Sequence, residues 1–440
     1  MNKNKTIIII GGSTAGTICA YNIRKINKDV KITIIEKTKN TQYSPCAMPY
    51  VLEGTTTKQK IILLNKKNYE ENNIELKNNT QVMNIIPKQN KIITNKEELT
   101  YDYLILATGS TPKNPGIKLN NSNYSFFKTL SDLDKIKKYA KKAKHITIIG
   151  AGFIGIETAY ALLEKNKKIT IIEAQNQILP ELLDKDMAEI LEKELNHKNI
   201  KIIKEEYVQE INKEIITNKQ KIKTDYTIIS AGIMPELKLA KDAGIKTDKG
   251  IITNKHQQTN IKNIYAAGDC TQTNHELQNT KIISGLANTA SNQAKTTAKH
   301  ILGLTVEMKP TLTTSITKIK NKYVANTGLT QTKTKQTQQD KILSTKYTST
   351  TTASYYSNKH KITTKIIINK KGQILGAQII SDENPAGYIN LINLAITNKI
   401  KIQKLAQLET PYNPASNPLN DPITTTAKIL VKKLDFLNKK

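Results

Sequence analysis

Short apolar runs and glycine-rich turns alternate along the chain with stretches of helical periodicity. Residues 6–10 and 146–149 consist of isoleucine and threonine, and each run is followed by a glycine. A continuous apolar run of this length indicates a strand that is buried on both faces, as in a parallel sheet. A helical stretch and a second apolar strand follow each run. The pattern therefore predicts two strand–turn–helix–strand units of an α/β protein.

The first unit has the features of a dinucleotide-binding turn. Its second strand, residues 30–35, closes on an acidic residue. Small residues in the turn let the backbone approach a pyrophosphate, the helix N-terminus supplies amide donors, and the acidic residue binds a ribose. Ser13 replaces the middle glycine of the usual fingerprint, so a glycine-rich turn without a ligand is the alternative. The residues expected at this site are Gly11, Gly12, Ser13, Thr14, Ala15, Gly16 and Glu36.

The second unit matches the fingerprint at all three glycines, and its next strand ends at Glu173. An acidic residue at this point accepts a hydrogen bond from a free ribose 2′-hydroxyl and repels a 2′-phosphate. Ala174 and Gln175 follow, without an arginine to neutralise a phosphate, so NADH is favoured over NADPH. The residues assigned to this site are Gly150, Gly152, Phe153, Ile154, Gly155, Glu173 and Gly232.

Two short motifs follow other apolar runs. Thr108 and Gly109 end the run 103–107, and Gly268 and Asp269 end the run 263–267. Each motif alone is typical of an ordinary turn. Their order along the chain predicts that they complete the first unit, where Asp269 would bind ribityl or phosphate oxygens through a hydrogen-bond network.

Length and composition limit the class of protein. At 440 residues the chain exceeds one typical domain, so two or three domains are expected. No apolar run approaches the ~18 residues of a membrane span, and the N-terminal residues lack the apolar region of a signal peptide. We expect a cytoplasmic protein without a membrane span. Three cysteines fit a reducing compartment, and no histidine or cysteine cluster has metal-ligand spacing.

The net charge of +30 comes almost entirely from lysine, because Arg24 is the single arginine. The lysines are spread over the whole chain and do not form one patch. Base readout and stacking favour arginines and aromatic residues, and aromatic residues make up only 5% of the chain. We therefore do not expect nucleic acid as a partner. A basic field would attract anionic, phosphate-bearing substrates and cofactors.

A single cysteine, Cys46, lies ten residues beyond Glu36 and has no CxxC or CxxxxC partner. Together with the two fingerprints and the two short motifs, it resembles the pattern of the pyridine nucleotide–disulfide oxidoreductases over nearly the whole chain. The run from Cys46 to Tyr50, Cys-Ala-Met-Pro-Tyr, is similar to the branch that contains coenzyme A (CoA) disulfide reductases and NADH oxidases and peroxidases.

The resemblance implies an α/β fold with two Rossmann-like nucleotide-binding domains and a C-terminal α+β dimerisation domain. It implies FAD on the first unit, NADH on the second, and Cys46 as a redox centre near the flavin. It also implies a helix over about residues 284–299, with Leu286 and Ala287 at its start, whose N-terminus faces the flavin. The implied domains are 1–112 with 242–310 for FAD, 113–241 for NAD and 311–440 for dimerisation.

The C-terminal third resembles the interface domain of that family, which forms a homodimer and supplies tyrosines to the partner's active site. Tyr412 falls on one such position, and either Tyr355 or Tyr356 falls on the other. Packing in a strand region is the alternative for the tyrosine that is not carried over. The threonine-rich run 330–354 is expected to form exposed strands. Ala415 replaces the second proline of the family's usual run, so the substrate pocket is expected to differ.

The residue at position 14 bears on the reaction. Oxidases and peroxidases of this branch carry a histidine there, where it would transfer protons during peroxide reduction. Thr14 cannot do so, and the Cys-x-x-Pro-Tyr pattern is more similar to CoA disulfide reductase. The resemblance therefore implies electron flow from NADH to FAD to Cys46 and then to a small disulfide such as CoA disulfide. The alternatives are an oxygen-reducing NADH oxidase, a persulfide or polysulfide reductase, and a non-catalytic NADH-sensing flavoprotein.

In the implied mechanism the Cys46 thiolate attacks the disulfide. The thiolate must be stabilised, because a free thiol is only partly ionised at neutral pH. Oxidised flavin and a helix N-terminus are the expected sources of that stabilisation, and Tyr412 is the expected proton donor to the leaving thiolate. Cys19 and Cys270 are expected to be buried packing residues.

Overall fold

A parallel sheet of five strands organises the first part of the chain, in a computed structural model that describes residues 5–163, 167–278, 280–337 and 341–439. Its central strand begins at Thr6, and four of its five residues are buried, as a strand covered on both faces requires. The strands come from distant parts of the sequence. In spatial order they are Ile264–Ala266, Tyr103–Leu106, Thr6–Ile10, Lys31–Ile35 and Ile74–Lys77.

Two helices pack together beside this sheet. The helix Thr14–Ile26 follows the first strand and contacts the helix Ala287–Ile301. The second helix starts three residues later than the sequence predicts, because the preceding residues include Gly285 at φ +64°. The other elements of this region are the 3₁₀ turns Pro45–Ala47 and Pro87–Gln89, the helices Met48–Glu53 and Lys66–Glu70, and the strands Val82–Ile86, Lys91–Thr94, Glu98–Thr100, Thr273–Asn274 and Lys281–Ile282.

A second five-stranded parallel sheet repeats the arrangement, except that its outermost strand comes first in the sequence instead of last. In spatial order its strands are Tyr124–Phe126, Tyr226–Ile229, His145–Ile149, Lys168–Ile172 and Ile200–Ile203. Its helices are Leu130–Lys142, Phe153–Leu163 and Lys185–Glu194. A smaller sheet is formed by Lys221–Lys223, Glu214–Thr217, Val208–Ile211 and Lys118–Leu119, and a separate pair by Ser110–Pro112 and Ile233–Pro235.

The last third of the chain forms an antiparallel sheet covered by helices. Its apolar core residues include Ile366, Ile379, Ile392 and Leu430, which come from two strands and two helices. The strands in spatial order are Ser315–Ile319, Lys322–Gly328, Ile374–Ser381, Lys361–Asn369 and Ile342–Thr350. The helices are Gln331–Thr337, Ala386–Thr397, Ile402–Ala406 and Pro422–Asn438.

The prediction of strands throughout residues 330–354 is wrong in its first half, where a helix spans Gln331–Thr337. The Lys333 N–H donates to Thr330 Oγ1 (3.2 Å), a helix-start hydrogen bond that threonine readily makes. The buried Thr334 hydroxyl bonds back to Thr330 O (2.8 Å), which satisfies it inside the fold. Residues 338–340 of the run lie outside the described residues, and Ile342–Thr350 is a strand.

Each of the three large sheets draws its strands from one of the predicted domain ranges. The predicted boundary at 241/242 cuts the helix Lys238–Asp242. The buried Ala240 belongs to the same apolar cluster as Ile8, Ile10 and Leu104 of the first sheet. We therefore propose that the second segment of the first domain begins before residue 238.

The short helix that follows Cys46 joins two parts of the fold. It spans Met48–Glu53 and contacts the helix Phe153–Leu163 of the second nucleotide unit. Met48, Val51 and Leu52 are buried in the core of that unit. Burial of three such apolar side chains stabilises this attachment by several kcal/mol (about 1.5–3 kcal/mol per fully buried side chain). The turn that carries Cys46 is thereby fixed between the two nucleotide units.

Among the helices of the described residues, none combines the length and the apolarity that a crossing of a membrane would require.

Candidate active site

The first glycine-rich turn is closed by direct backbone contact. Gly11 has φ +106°, which favours glycine. A Cβ on Gly16 would lie 1.9 Å from Gly11 O, so the helix can approach the strand this closely only with glycine at position 16. Ser13 is the residue before the helix, and its side chain makes no capping bond. Thr14 and Ala15 are the first two helical residues, which leaves their amides at the helix start.

Glu36 lies at the end of the neighbouring strand and faces this turn. The Gly12 N–H donates to Glu36 Oε2 (2.9 Å), and the Thr38 N–H and hydroxyl donate to Oε1 (both 2.8 Å). Three bonds therefore hold the carboxylate beside the turn, in the arrangement that ribose recognition requires. Gly11, Gly12 and Glu36 thus fit the adenosine half of a dinucleotide such as FAD.

The two short motifs converge on the same turn. A Cβ on Gly11 would lie 2.2 Å from Ala107 O, the residue before Thr108. A Cβ on Gly268 would lie 3.0 Å from the Ala15 Cβ. The backbone at Gly109 contacts the segment that leads back from the second unit, because its carbonyl accepts from the Glu236 N–H (3.0 Å). The fold therefore brings together residues that lie far apart in the sequence.

Asp269 is held by groups that the sequence did not identify. Its Oδ2 accepts from Ser110 Oγ (2.9 Å) and lies 3.4 Å from Lys128 Nζ. The Lys128 ammonium also donates to Ser110 Oγ (2.9 Å). On the other side, the Gly268 N–H donates to the buried Gln293 Oε1 (2.8 Å), which lies on the helix that starts after Leu286, at Ala287. This network orients Asp269 beside the first nucleotide unit.

The second fingerprint has the same construction. A Cβ on Gly155 would lie 2.0 Å from Gly150 O, and Phe153 and Ile154 begin the helix. The Ala151 N–H donates to Glu173 Oε2 (2.7 Å), and the Gln175 N–H donates to Oε1 (2.9 Å).

Apart from Gly152 and its two chain neighbours, no heavy atom of the described residues lies within 4 Å of a Cβ built on Gly152. That open face fits the close approach of a pyrophosphate. Gly232 lies on the loop after the strand Tyr226–Ile229 and has φ +97°. The same loop approaches the fingerprint closely, because a Cβ on Gly150 would lie 2.6 Å from Ser230 O. The second unit therefore fits NAD(P)H.

Cys46 lies in the 3₁₀ turn Pro45–Ala47, and its side chain is exposed, whereas Cys19 and Cys270 are buried. The protein surrounding the turn nevertheless displaces enough water to raise the pKa of the Cys46 thiol. Glu157 raises it further, Lys128 lowers it, and Asp269 makes a smaller contribution in the raising direction.

The chain alone therefore does not favour the thiolate. The helix that follows Cys46 has six residues, and the expected contribution of a helix N-terminus stays a prediction.

Glu157 is the one charged side chain of the helix Phe153–Leu163. Burial raises its pKa to about 7, and the Thr317 hydroxyl, which donates to Glu157 Oε1, opposes that rise. The carboxyl of Glu157 therefore gains its charge around neutral pH. The pKa of Tyr50, which lies four residues beyond Cys46, is raised mainly by burial. The charge of Glu157 raises it further. Glu157 thus links the second nucleotide unit electrostatically to the thiol.

We expect opposite changes in the ionisation of Cys46 when its two charged neighbours are neutralised. Glu157→Gln removes a negative charge and should lower the pKa of the thiol, whereas Lys128→Gln removes a positive charge and should raise it. The measurement is the rate of alkylation by iodoacetamide as a function of pH, which reports on Cys46 because the other two cysteines are buried. Below pH 7 the Glu157→Gln effect should shrink, since the native carboxyl is then protonated.

Glu189→Gln is the matched control, because Glu189 is an exposed acid on the helix Lys185–Glu194 and does not contribute to the Cys46 shift. Its alkylation profile should match that of the unchanged protein. A shift in the same direction for both Glu157→Gln and Lys128→Gln would rule out this electrostatic account.

The tyrosines assigned by resemblance lie on an exposed surface of the last domain. Tyr355 and Tyr412 share a hydrogen bond between their hydroxyls (2.7 Å), and that bond raises the pKa of Tyr355. Tyr356 lies in the same turn, where its N–H donates to Ala353 O (2.9 Å). The alternative of sheet packing is wrong for both Tyr355 and Tyr356, because their turn is exposed and lies outside the strands. Within the described part of one chain, no hydrogen bond connects this pair to the Cys46 turn.

The other two cysteines are packing residues, as predicted. Cys19 and Cys270 have no exposed side-chain surface, and burial raises the pKa of both thiols. The Cys270 thiol donates weakly to Leu106 O (3.5 Å) and Ala267 O (3.4 Å), which fixes it in the core. Cys46 is therefore the accessible thiol of the described chain.

Comparisons with known protein families agree with this geometry. The sequence pattern described as "Pyridine nucleotide-disulphide oxidoreductase" matches residues 5–294. The pattern described as the dimerisation domain of the same family matches residues 314–420. The matches cover both nucleotide units and all five strands of the antiparallel sheet.

Three individual proteins illustrate the range of relatives. An NADH oxidase from Methanocaldococcus jannaschii is 35% identical, over 97% of this chain and 99% of its own. A coenzyme A disulfide reductase from Staphylococcus aureus is 28% identical, over 93% of this chain and 95% of its own. The solved structure of an NAD-dependent persulfide reductase from A. fulgidus is 27% identical, with a TM-score of 0.95, and the match covers 98% of this chain and 84% of that one.

Proposed function

Because the chain belongs to the pyridine nucleotide-disulphide oxidoreductase family, we propose that it carries electrons from NADH through FAD and Cys46 to a small disulfide, with CoA disulfide as the first candidate. Family membership makes the chain an FAD-dependent oxidoreductase that uses NAD(P)H. The observation that carries a reaction through sulfur is the exposed thiol of Cys46, fixed between the two nucleotide units. Thr14 favours a disulfide over oxygen as the acceptor, because it cannot act as a proton-transferring histidine in the first turn.

The cofactors would be held by the two glycine-rich turns. Gly11, Gly16 and Glu36 would hold the adenosine half of FAD, and Asp269 would bind oxygens nearer the flavin. Gly150, Gly155 and Glu173 would hold NADH. Bound FAD supplies the two-electron chemistry that connects NADH to sulfur. Leu286 and Ala287 would present the start of a 15-residue helix to the flavin, where the positive end of the helix dipole favours negative charge.

The sulfur chemistry balances with one NADH for each disulfide. The Cys46 thiolate attacks one sulfur of the substrate, so that the substrate S–S bond breaks and a new S–S bond joins Cys46 to one half of the substrate. The other half leaves as a thiolate and takes up a proton. Two electrons and a second proton then break the mixed disulfide, which restores Cys46 and releases the second thiol. The overall change consumes NADH, one proton and the disulfide, and it yields NAD⁺ and two thiols.

The tyrosine pair would complete the site in a homodimer. The chain has the family's dimerisation domain, and Tyr355 and Tyr412 lie exposed on it with their hydroxyls joined. We propose that Tyr412 of the partner subunit donates the proton to the leaving thiolate, while Tyr355 orients its hydroxyl. Of the two candidates, Tyr355 is favoured over Tyr356 because it makes the bond to Tyr412.

Stoichiometry tests the proposed reaction. Purified FAD-loaded protein under strict exclusion of oxygen should oxidise NADH when CoA disulfide is added, and it should form two thiols for each NADH. NADH absorbance and thiol titration measure the two quantities. A requirement for oxygen, or NADH oxidation without thiol formation, would refute the disulfide assignment.

Cofactor preference is expected to depend on Glu173. Its buried carboxylate would repel a 2′-phosphate, and no arginine stands beside it. Glu173→Gln keeps a hydrogen-bond acceptor but removes the charge, so the ratio of kcat/KM for NADH over NADPH should fall by roughly tenfold. Glu189→Gln, an exposed acid in the same unit, should leave the ratio unchanged. An unaltered ratio in Glu173→Gln would mean that another residue sets the preference.

Oxygen reduction is a second candidate, because a full-length relative at 35% identity is named NADH oxidase. In that reaction Cys46 would cycle with an oxygen-derived species instead of a substrate disulfide. The two candidates differ in the fate of the NADH electrons: thiols in one case, water or peroxide in the other. Rapid oxygen uptake with NADH, faster than turnover with CoA disulfide, would establish the oxidase.

A further inference from the structure

A cavity of about 340 Å³ lies outside the site described above. One wall is the face of the helix Ala287–Ile301 opposite the one that packs on the first nucleotide unit; Ala290, Ala294 and Ala298 lie on the packed face. The other walls are the connecting segment 306–314 and the helix Ala386–Thr397 of the last domain. The volume falls at the lower end of the range of small-molecule sites, about 300–1,000 Å³.

The charges around this cavity are mainly positive. Lys295 and Lys299 project from one helix four residues apart, and Lys309 comes from the connecting segment. The ion pairs of the described residues engage none of these three lysines, whereas the lining carboxylate of Glu307 is already paired with Lys255 (2.5 Å). Glu276 is the other lining carboxylate, and it offsets only one of the three ammonium groups.

The wall made by the connecting segment is held in place before any ligand binds. The Met308 N–H donates to Lys255 O (2.7 Å), and His256 Nδ1 donates to Val306 O (2.6 Å). The His256 ring stacks on His300, with a centroid distance of 4.4 Å, which ties the segment to the end of the helix Ala287–Ile301. A fixed wall lowers the conformational cost of binding a small ligand.

Neutral donors line the end of the cavity towards the last domain. Asn393 donates to Thr314 Oγ1, and Asn288 donates to Thr314 O (3.4 Å, a weak bond). Both amides are on the cavity wall with Asn292. Ammonium groups and amide N–H donors together form the donor set that phosphate oxygens accept from.

We propose that this cavity binds a small phosphate-bearing anion, at a site separate from the two cofactor turns and from Cys46. The shared chemistry is a pyrophosphate group, either free or as part of a nucleoside diphosphate. The ligand would connect the helix Ala287–Ile301 to the helix Ala386–Thr397, and so the first nucleotide unit to the last domain.

Isothermal titration calorimetry of the FAD-loaded protein at low salt tests the proposal, with sodium pyrophosphate in one arm and ADP in the other. Saturable binding of one molecule per chain is expected, and the double variant Lys295→Gln/Lys299→Gln should weaken it by roughly tenfold or more. The control Lys137→Gln/Lys141→Gln removes the same charge with the same spacing from the exposed side of another helix, and it should bind as the unchanged protein does.

The arms separate the possible outcomes. Binding of both ligands at similar affinity supports a free phosphate site, and tight binding of ADP alone supports a nucleotide site. Equal weakening in both double variants would mean that general lysine charge attracts the anion, and it would overturn the proposal, as would the absence of binding. NADH turnover with CoA disulfide should be unchanged in both double variants, so failure here leaves the proposed reaction untouched.

Discussion

Cys46→Ser should abolish disulfide reduction while the reduction of bound flavin by NADH persists. A serine hydroxyl cannot form the mixed disulfide, and loss of a covalent nucleophile typically lowers turnover by roughly a thousandfold or more. The NADH site is built from the second glycine-rich turn and Glu173, so it should survive the substitution. Anaerobic stopped-flow spectroscopy measures flavin reduction, and thiol titration with CoA disulfide measures the overall reaction.

Cys19→Ala is the control for the loss of a cysteine that takes no part in the reaction. Cys19 has no exposed surface and lies in the core of the first unit, so its loss should cost some stability but leave disulfide reduction in place. Disulfide reduction at an undiminished rate in Cys46→Ser would contradict every mechanism that passes electrons through this thiol. Loss of flavin reduction together with disulfide reduction would indicate a damaged fold instead, and FAD content distinguishes that case.

The second large effect is expected on stability, from Lys365→Met. The Lys365 side chain is 3% exposed, and its Nζ lies 3.0 Å from Asp184 Oδ2 and 2.6 Å from Asp186 Oδ1. Asp184 directly precedes the helix Lys185–Glu194, and Asp186 is its second residue. Because Lys365 lies on the strand Lys361–Asn369, the ion pairs join the second nucleotide unit to the antiparallel sheet. Removing the lysine leaves Asp184 buried without its cation. Breaking a buried pair in this way costs about 3–5 kcal/mol.

Thermal unfolding of the FAD-loaded protein should show the loss as a fall of several degrees in Tm. Lys346→Met is the matched control, because Lys346 lies 3.6 Å from the same Asp186 but is 45% exposed, and such pairs contribute about 0–1 kcal/mol. The double variant Asp184→Asn/Lys365→Met should recover part of the stability, since it leaves no buried charge at position 184. A Tm for Lys365→Met equal to that of Lys346→Met would show that the buried cluster does not stabilise the chain.

The two nucleotide units could be predicted from the sequence because all the signals for each unit lie close together along the chain. A run of buried isoleucines, a glycine needed for close backbone contact and an acid at the next strand end are all encoded within about thirty residues. Gly16 against Gly11 O and Gly155 against Gly150 O follow directly from that pattern. The threonine-rich run 330–354 has a strand-like composition, but its first part forms a helix that is held by bonds to Thr330 and by a bond from the Thr332 N–H to the distant Asp184 Oδ1 (3.3 Å).

The electrostatics of the thiol could not be predicted in the same way. Glu157, Lys128 and Asp269 lie more than eighty residues from Cys46 in the sequence, and only the folded chain brings their charges to bear on it. The sequence does contain a signal for Glu157, because it is the one charged residue of the helix Phe153–Leu163. It contains none for Lys128. The pairing of Tyr355 with Tyr412 likewise depends on two loops that meet only in three dimensions.

The raised pKa of Cys46 bears on what a bound cofactor would contribute. The chain alone destabilises the thiolate, through burial first and Glu157 second. Lys128 opposes both effects, and we propose that bound FAD would add to this stabilisation of the thiolate. The flavin would then have an electrostatic role in addition to its redox chemistry.

We propose that a small disulfide, and not oxygen, takes the electrons from Cys46. The most direct test is to reduce the FAD-loaded protein with NADH under anaerobic conditions and then to mix it, in separate experiments, with CoA disulfide or with oxygenated buffer. Flavin absorbance reports the rate of reoxidation in each. Reoxidation by CoA disulfide is expected at a rate far above that by oxygen. Faster reoxidation by oxygen would contradict it and would identify the protein as an NADH oxidase.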